Sequence, residues 1–179
     1  MPDFRALWDR ALSYPDFVAA SGPKQRGLWE GLYRLARVPE WAVAALGPEP
    51  RLKLLVLAED WCGDASSTVP VLARLADLVP GLELRLLRRD EHPELMNRYL
   101  TNGSRSIPIV IALDRDFREL GHWGPRPRVL QAWVMEQRAR GTPKDQLYPE
   151  VRRWYARDRG ESTLREVLEA AGFRIARVA

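Results

Sequence analysis

Two kinds of hydrophobic spacing divide this chain. Up to about residue 46, apolar side chains recur every three or four positions. Phe4, Leu7, Trp8, Ala11 and Leu12 form one stripe; Leu28, Leu32, Leu35 and Ala36, with Trp29 and Tyr33 beside them, form another. Such a stripe is the face that a helix turns toward a core. It predicts one helix ending near Tyr14-Pro15, a second stopping before Val38-Pro39, and a short third over 41–46, closed by Gly47-Pro48. The tryptophans of this region are expected to pack between helices as large buried side chains.

From Arg51 the pattern changes to strands alternating with helices. The run 53–58 reads as a buried strand, and 66–79 as a helix with Val69, Leu72, Leu75, Ala76 and Val79 on one face. Leu82, Leu84, Leu86 and Leu87 give the next strand. A helix over 92–100, entered through Asp90 as its cap, follows. Strands are expected at 107–113 and 117–123 around a short turn at Asp114-Arg115-Asp116, then a helix over 126–140. This order predicts an α/β fold with a central mixed sheet, half parallel and half antiparallel hairpin, flanked by helices. The tail, between 145 and 171, carries further amphipathic helix, with Gly172 as its stop. The organisation expected is a helical N-terminal extension packed on the core (1–50), an α/β domain (51–140) and a C-terminal helical extension (141–179).

Composition narrows the class of function. The chain has 179 residues, 46% hydrophobic and 29% charged, enough to bury a substantial core. The net charge is +4, but 24 acids are interspersed among 28 basic residues, of which lysine takes only positions 24, 53 and 144. No basic stripe forms, which argues against nucleic acid as a partner. No apolar run approaches the roughly 20 residues needed to span a bilayer, and the first residues lack the basic and apolar regions of a signal peptide. A single cysteine excludes a disulfide framework. Together these lead to an expectation of a cytoplasmic protein away from membranes.

That single cysteine, Cys62, stands in Glu59-Asp60-Trp61-Cys62-Gly63-Asp64-Ala65, between a strand end and a helix start. The unpaired first-turn N–H groups and the positive end of the helix dipole favour thiolate at such a place. A dithiol enzyme would carry a second cysteine three residues on, where this chain has Ala65. His92 and His122 form only a weak metal constellation with Cys62, no zinc-type spacing is present, and no metal is expected. Iron–sulfur ligation by Cys62 has no further support in the sequence.

Trp61-Cys62-Gly63 at a strand end resembles the Trp-Cys-Gly-Pro-Cys active site of the thioredoxin superfamily. Pro70 falls where the family's active-site helix is kinked by proline. Ser106-Ile107-Pro108 resembles its cis-proline loop, and Gly124 the glycine that follows its last strand. The similarity covers about residues 51–140 and implies a thioredoxin-like fold. The chain departs from the dithiol pattern at Ala65, at Asp64 in place of the proline between the cysteines, and at Val56, where thioredoxins carry a buried acid. It is similar to a bacterial subgroup with a monothiol Trp-Cys-Gly-Asp motif.

The resemblance implies Cys62 as the nucleophile within a motif of Trp61, Gly63, Asp64 and Ala65, with Ser106, Ile107 and Pro108 shaping a substrate groove. Two effects oppose each other at Asp64. A nearby carboxylate disfavours a second negative charge, whereas an acid in the first turn that turns outward complements the helix N-terminus. Ser66, Ser67 and Thr68 are further candidates to cap the helix or donate to the sulfur. A mildly activated thiol is expected. A monothiol forms mixed disulfides that an external thiol resolves, so thiol–disulfide exchange with a thiol- or disulfide-bearing protein, glutathione serving as co-substrate, is the leading expectation. The alternative is a redox-inert module whose groove binds protein or peptide. No cofactor is expected. The oligomeric state is open, a homodimer included.

Overall fold

The computed structural model describes residues 2–175; residue 1 and residues 176–179, at the outer ends of the two expected extensions, lie outside the described residues. The chain opens with α1 (Phe4–Arg10), whose first turn is capped by the Asp3 carboxylate accepting the Ala6 N–H at 3.0 Å. The helix stops two residues short of Leu12. Leu12–Ser13 (β1) instead pairs antiparallel with Leu86 and Arg85, so the helical spacing of Leu12 gives way to a sheet contact. The Ser13 hydroxyl then caps α2 (Tyr14–Ala19), which is followed by α3 (Pro23–Leu35) and α4 (Glu40–Leu46).

The sheet runs β1-β3-β2-β4-β5. Its central strand, β2 (Leu52–Ala58), pairs parallel with β3 (Leu82–Arg88) and antiparallel with β4 (Ile109–Leu113), which pairs antiparallel with β5 (Glu119–Trp123). β2 and β4 are covered on both faces, which is why both are near-continuous runs of Leu, Val and Ile. The β4–β5 turn is fixed by Asp114, whose Oδ1 accepts the N–H groups of Asp116 and Arg118 at 2.8 and 2.9 Å. The expected α/β architecture, a mixed sheet flanked by helices, is therefore present.

Crossing from β2 to β3, α5 (Gly63–Leu78) is buried along most of its length and contains Pro70. The segment after β3 is less helical than its spacing predicts. A 3-10 turn, Arg89–Glu91, leads into α6 (Pro93–Met96), whose N-cap is His92 rather than Asp90. Asp90 instead donates its backbone N–H to the Glu59 carboxylate at 2.9 Å. Strand β4 begins two residues after the predicted 107 because Pro108 has no N–H to give a ladder. Helices α7 (Arg128–Ala139), α8 (Lys144–Asp158) and α9 (Glu161–Ala170) complete the described chain, and Gly172, at φ 90°, ends α9.

One hydrophobic cluster joins the sheet, α5 and α9 to side chains of the N-terminal helices, including Phe4, Trp8, Phe17 and Trp29. Strand β5 meets α9 at Gly121, where a Cβ would lie 2.2 Å from the Ala170 carbonyl oxygen, so only glycine lets the two backbones touch. A second, smaller cluster binds α7 to α8 through Leu130, Val134, Leu147, Val151 and Tyr155. No helix among the described residues is long and apolar enough to cross a membrane.

Candidate functional site

Cys62 is the N-cap of α5, in extended backbone conformation, with its own N–H donated to the Glu59 carbonyl at 3.1 Å. Its Sγ accepts the Ala65 N–H at 3.5 Å, as an N-cap side chain does, and the thiol donates to the Ile107 carbonyl at 3.5 Å. The structure thus brings Cys62, Ala65 and Ile107 together across two separate loops. The Ile107–Pro108 peptide is cis. Gly124, at φ 128°, approaches so closely that a Cβ there would lie 2.1 Å from the Pro108 carbonyl oxygen. A side chain at 124 would force the β5 exit away from the Pro108 turn.

The flanking residues divide by exposure. Trp61 is 57% exposed, with the Arg89 guanidinium over its ring at 5.2 Å from the centroid. Arg89 also donates to the Arg105 carbonyl at 3.1 Å, which ties Trp61 to the segment leading into Ser106 and Ile107. Ala65 and Ile107 are buried, and Ser106 is half-buried. The hydroxyls of Ser66, Ser67 and Thr68 do not reach the sulfur. They donate back to the Gly63 and Asp64 carbonyls, the ordinary behaviour of hydroxyls inside a helix.

Asp64 does not turn outward. Its side chain is buried and receives three donors: Arg126 Nε on Oδ1 at 2.8 Å, Arg126 Nη2 on Oδ2 at 2.5 Å, and the Tyr155 hydroxyl on Oδ1 at 2.9 Å. The side chains of Asp64 and Arg126 are each 8% exposed. Arg126 spends its remaining arm on Gln131 Oε1 at 2.9 Å. The geometry is the two-pronged arginine–carboxylate pair, the strongest kind of ionic hydrogen bonding available to a protein. Arg126 and Tyr155 have no place in the sequence motif. The only signal toward Arg126 is its position in Pro125-Arg126-Pro127, a stiff loop directly after Gly124.

These contacts set the sulfur's electrostatics. Burial pushes the Cys62 thiol above its ordinary value, and the Asp64 charge adds to that; the Ala65 and Asp64 N–H groups and Arg126 pull the other way without prevailing. The mildly activated thiol expected from the helix start is therefore not found in this geometry, because desolvation outweighs the helix N-terminus. Burial and Asp64 likewise push the Tyr155 hydroxyl upward.

A raised thiol pKa in the folded state means the native protein holds that proton more tightly than the unfolded chain. Stability from this source is complete below the unfolded thiol value and is lost as pH rises past it. Unfolding midpoints in urea are accordingly expected to fall above about pH 8.5, and to fall less steeply in Cys62→Ser between that pH and the tyrosine range. Equal slopes in the two proteins would show that the thiol is not held protonated.

The loop bearing Cys62 is anchored from behind. Trp29, fully buried, donates its indole N–H to the Asp60 carbonyl at 2.9 Å, and Tyr14 donates its hydroxyl to the Trp29 carbonyl at 3.1 Å. Glu59 is buried and within 3.5 Å of Arg88, whose guanidinium also stacks over Phe17. Two grooves, of about 730 Å³ between α2, α3, α5 and β3 and about 660 Å³ between α1 and α6, do not include Cys62. The two histidines are engaged elsewhere: His92 Nδ1 lies 3.1 Å from the Arg88 carbonyl, and His122 Nδ1 3.2 Å from Glu119. Among the described residues no group of three or more His, Cys, Asp or Glu side chains is placed to hold a metal ion.

A family model described as Thioredoxin matches residues 11–140, so the match begins at β1 and takes in α2 to α4 as well as the sheet. No curated protein matches the chain. Among solved structures, a crystal structure of an HIV epitope-scaffold is similar at 20% identity and a TM-score of 0.75, covering 96% of this chain and 98% of its own. A crystal structure of a protein of unknown function from Pseudomonas aeruginosa is similar at 21% identity and a TM-score of 0.68, covering 93% and 98%. At those identities the likeness speaks to the fold, which is α/β and thioredoxin-like. With its sheet, its Cys62 corner and most of its length matched, this chain belongs to the thioredoxin family.

Proposed function

We propose that the chain is a monothiol member of this family, of the Trp-Cys-Gly-Asp kind, that exchanges disulfides through Cys62. The observation that carries the reading is the position of Sγ, held between the Ala65 N–H at the start of α5 and the Ile107 carbonyl beside Pro108. In the exchange, the Cys62 thiolate attacks one sulfur of a disulfide R–S–S–R′. A Cys62–S–S–R bond forms, the R–S–S–R′ bond breaks, and R′–S⁻ leaves with the electron pair. A second external thiol, with glutathione as the natural candidate, then attacks the R sulfur as its thiolate: a disulfide forms between that thiol and R, the Cys62–S–S–R bond breaks, and Cys62 leaves as thiolate with the electron pair. Ala65 in place of a second cysteine makes that external thiol obligatory. The groove at Ser106, Ile107 and Pro108 pairs with an extended backbone of the substrate, and Trp61 forms its apolar rim. The partner is a thiol- or disulfide-bearing protein or glutathione, in a reducing compartment such as the cytoplasm.

Incubation of the native protein with oxidised glutathione, followed by intact mass, tests this. Wild type is expected to gain one glutathionyl group that dithiothreitol removes, and Cys62→Ser none. Failure of wild type to form the adduct between pH 7 and 9 overturns the exchange reading. The burial of Cys62 favours the second reading, a redox-inert module that binds a peptide in the same groove. A thiol that reacts only after unfolding selects that reading.

A further inference from the structure

We propose that Arg126 and Tyr155 are positioning residues for Cys62: by holding and neutralising the Asp64 carboxylate beside the sulfur they set how much thiolate forms, and through Tyr155 helix α8 becomes a control element of the site. The proposal deepens the exchange reading and rests on it for its biological meaning, though its test does not.

Three observations lead here. First, the Asp64 carboxylate sits two residues after Cys62, within the same first helical turn, and is buried, so its charge acts on the sulfur with little screening by water. Second, among the described residues its side-chain partners come from two distant elements. Arg126 arrives in the loop after β5 with two donors, and Tyr155 arrives on α8 with one. A buried ion pair is weak evidence for stability, since apolar residues of similar volume frequently serve as well. Its placement beside a nucleophile calls for a different reason. Third, α8 packs against α7 through its own small cluster, and it meets the main core along α5, the helix that carries Asp64. Displacement of α8 would withdraw Tyr155 from Asp64 without dismantling the sheet.

The charged groups around the sulfur fix the sign. On α5 stands Asp64, an anion; from the β5 exit comes Arg126, a cation; from α8 comes the neutral Tyr155 hydroxyl, its proton aimed at Oδ1. In the loop before the sulfur, Glu59 and Asp60 are tied to Arg88, at 3.5 and 3.9 Å. Arg89 lies outside, over Trp61. From the Pro108 loop the neutral Ile107 carbonyl faces Cys62. Asp64 is thus a brake on thiolate formation, and Arg126 and Tyr155 moderate it. With α8 docked the brake is partly released; with Tyr155 withdrawn, more of the carboxylate's charge reaches the sulfur.

The pH dependence of Cys62 alkylation by iodoacetamide, on the folded full-length chain, reads this directly. Asp64→Asn is expected to lower the apparent pKa and raise the rate at pH 7 by about tenfold, the equivalent of one pKa unit. Tyr155→Phe, which keeps the ring and its packing, is expected to move the profile the other way and slow the rate about two- to threefold. The double variant Asp64→Asn/Tyr155→Phe is expected to match Asp64→Asn, since without the carboxylate the hydroxyl has nothing to neutralise. Profiles that superimpose on wild type overturn the proposal. So does a Tyr155→Phe shift that persists in the Asp64→Asn background, or a change of rate with no change of apparent pKa, which marks Tyr155 as a mere cover. Titration of the Cys62 Cβ chemical shift gives the same pKa values wherever access limits alkylation. Alkylation needs a thiolate but no disulfide chemistry, so a negative glutathione experiment with shifted profiles would sink exchange and leave this coupling standing.

Discussion

Trp29→Ala is expected to destabilise the protein by about 3–5 kcal/mol, the usual cost of removing a large aromatic side chain from a core that cannot collapse around the gap. The residue is fully buried, lies 5.2 Å from the Phe17 ring and 6.1 Å from the Tyr14 ring between centroids, and clamps the Asp60 carbonyl. Trp29→Phe separates the two contributions. It keeps much of the buried ring but loses the indole N–H, so its cost is expected to be about 1–2 kcal/mol, the range of one partly buried hydrogen bond. Urea unfolding measures both. The consequence for the site follows from the same bond: once the Asp60 carbonyl is freed, the loop carrying Trp61 and Cys62 loses its rear anchor, and native-state alkylation of Cys62 is expected to accelerate in both variants. If Trp29→Ala costs less than 1 kcal/mol, the N-terminal helices do not brace the site.

That contact also marks where sequence and structure part. The core packing of Trp29 is legible in its helical spacing, yet its hydrogen bond to a carbonyl 31 residues away leaves no periodic trace. The strands β2 and β4 are legible because burial on both faces demands unbroken apolar runs. By contrast, β1 is not. It has two residues, Leu12 fits the preceding helical stripe equally well, and only the pairing with Leu86 and Arg85 decides between them. The segment after β3 reads as one helix over 92–100 but forms one short turn of α-helix, Pro93–Met96, after which Arg98 and Tyr99 bond back three residues, to the Leu95 and Met96 carbonyls, as tight turns do.

The site divides along the same line. Cys62, Ile107 and Pro108 can be placed through their resemblance to the family's Trp-Cys-Gly and cis-proline motifs, which are local in sequence. Asp64 belongs to the motif too, but its direction does not. A carboxylate in a first helical turn is favourable whether it faces water or a buried cation, and the difference is made by residues 62 and 91 positions further on. In a chain this rich in arginine only the stiff Pro125-Arg126-Pro127 setting distinguishes Arg126, and that setting does not say which carboxylate it meets. The unexpected rise of the Cys62 pKa has the same origin, because burial is a property of the whole assembly and the helix N-terminus is a property of the segment.

Arg126→Met is expected to cost about 3–5 kcal/mol, because it strands the Asp64 carboxylate in a buried position with the Tyr155 hydroxyl as its remaining donor among the described residues. The loss reflects the unpaired charge rather than the worth of the pair. Accordingly the double variant Asp64→Leu/Arg126→Met, which removes both charges and keeps apolar volume, is expected to recover most of it. Chemical denaturation of wild type, both single variants and the double variant closes the cycle and isolates the coupling between the two side chains. Strong coupling means that the loop after β5 is held to the start of α5 chiefly by this pair, and with it the close approach of Gly124 to the Pro108 carbonyl. A cost below about 1 kcal/mol for Arg126→Met is the behaviour of a solvated surface pair. It would mean that water reaches Asp64 in solution, and the charge beside Cys62 would then be too well screened to govern the thiol.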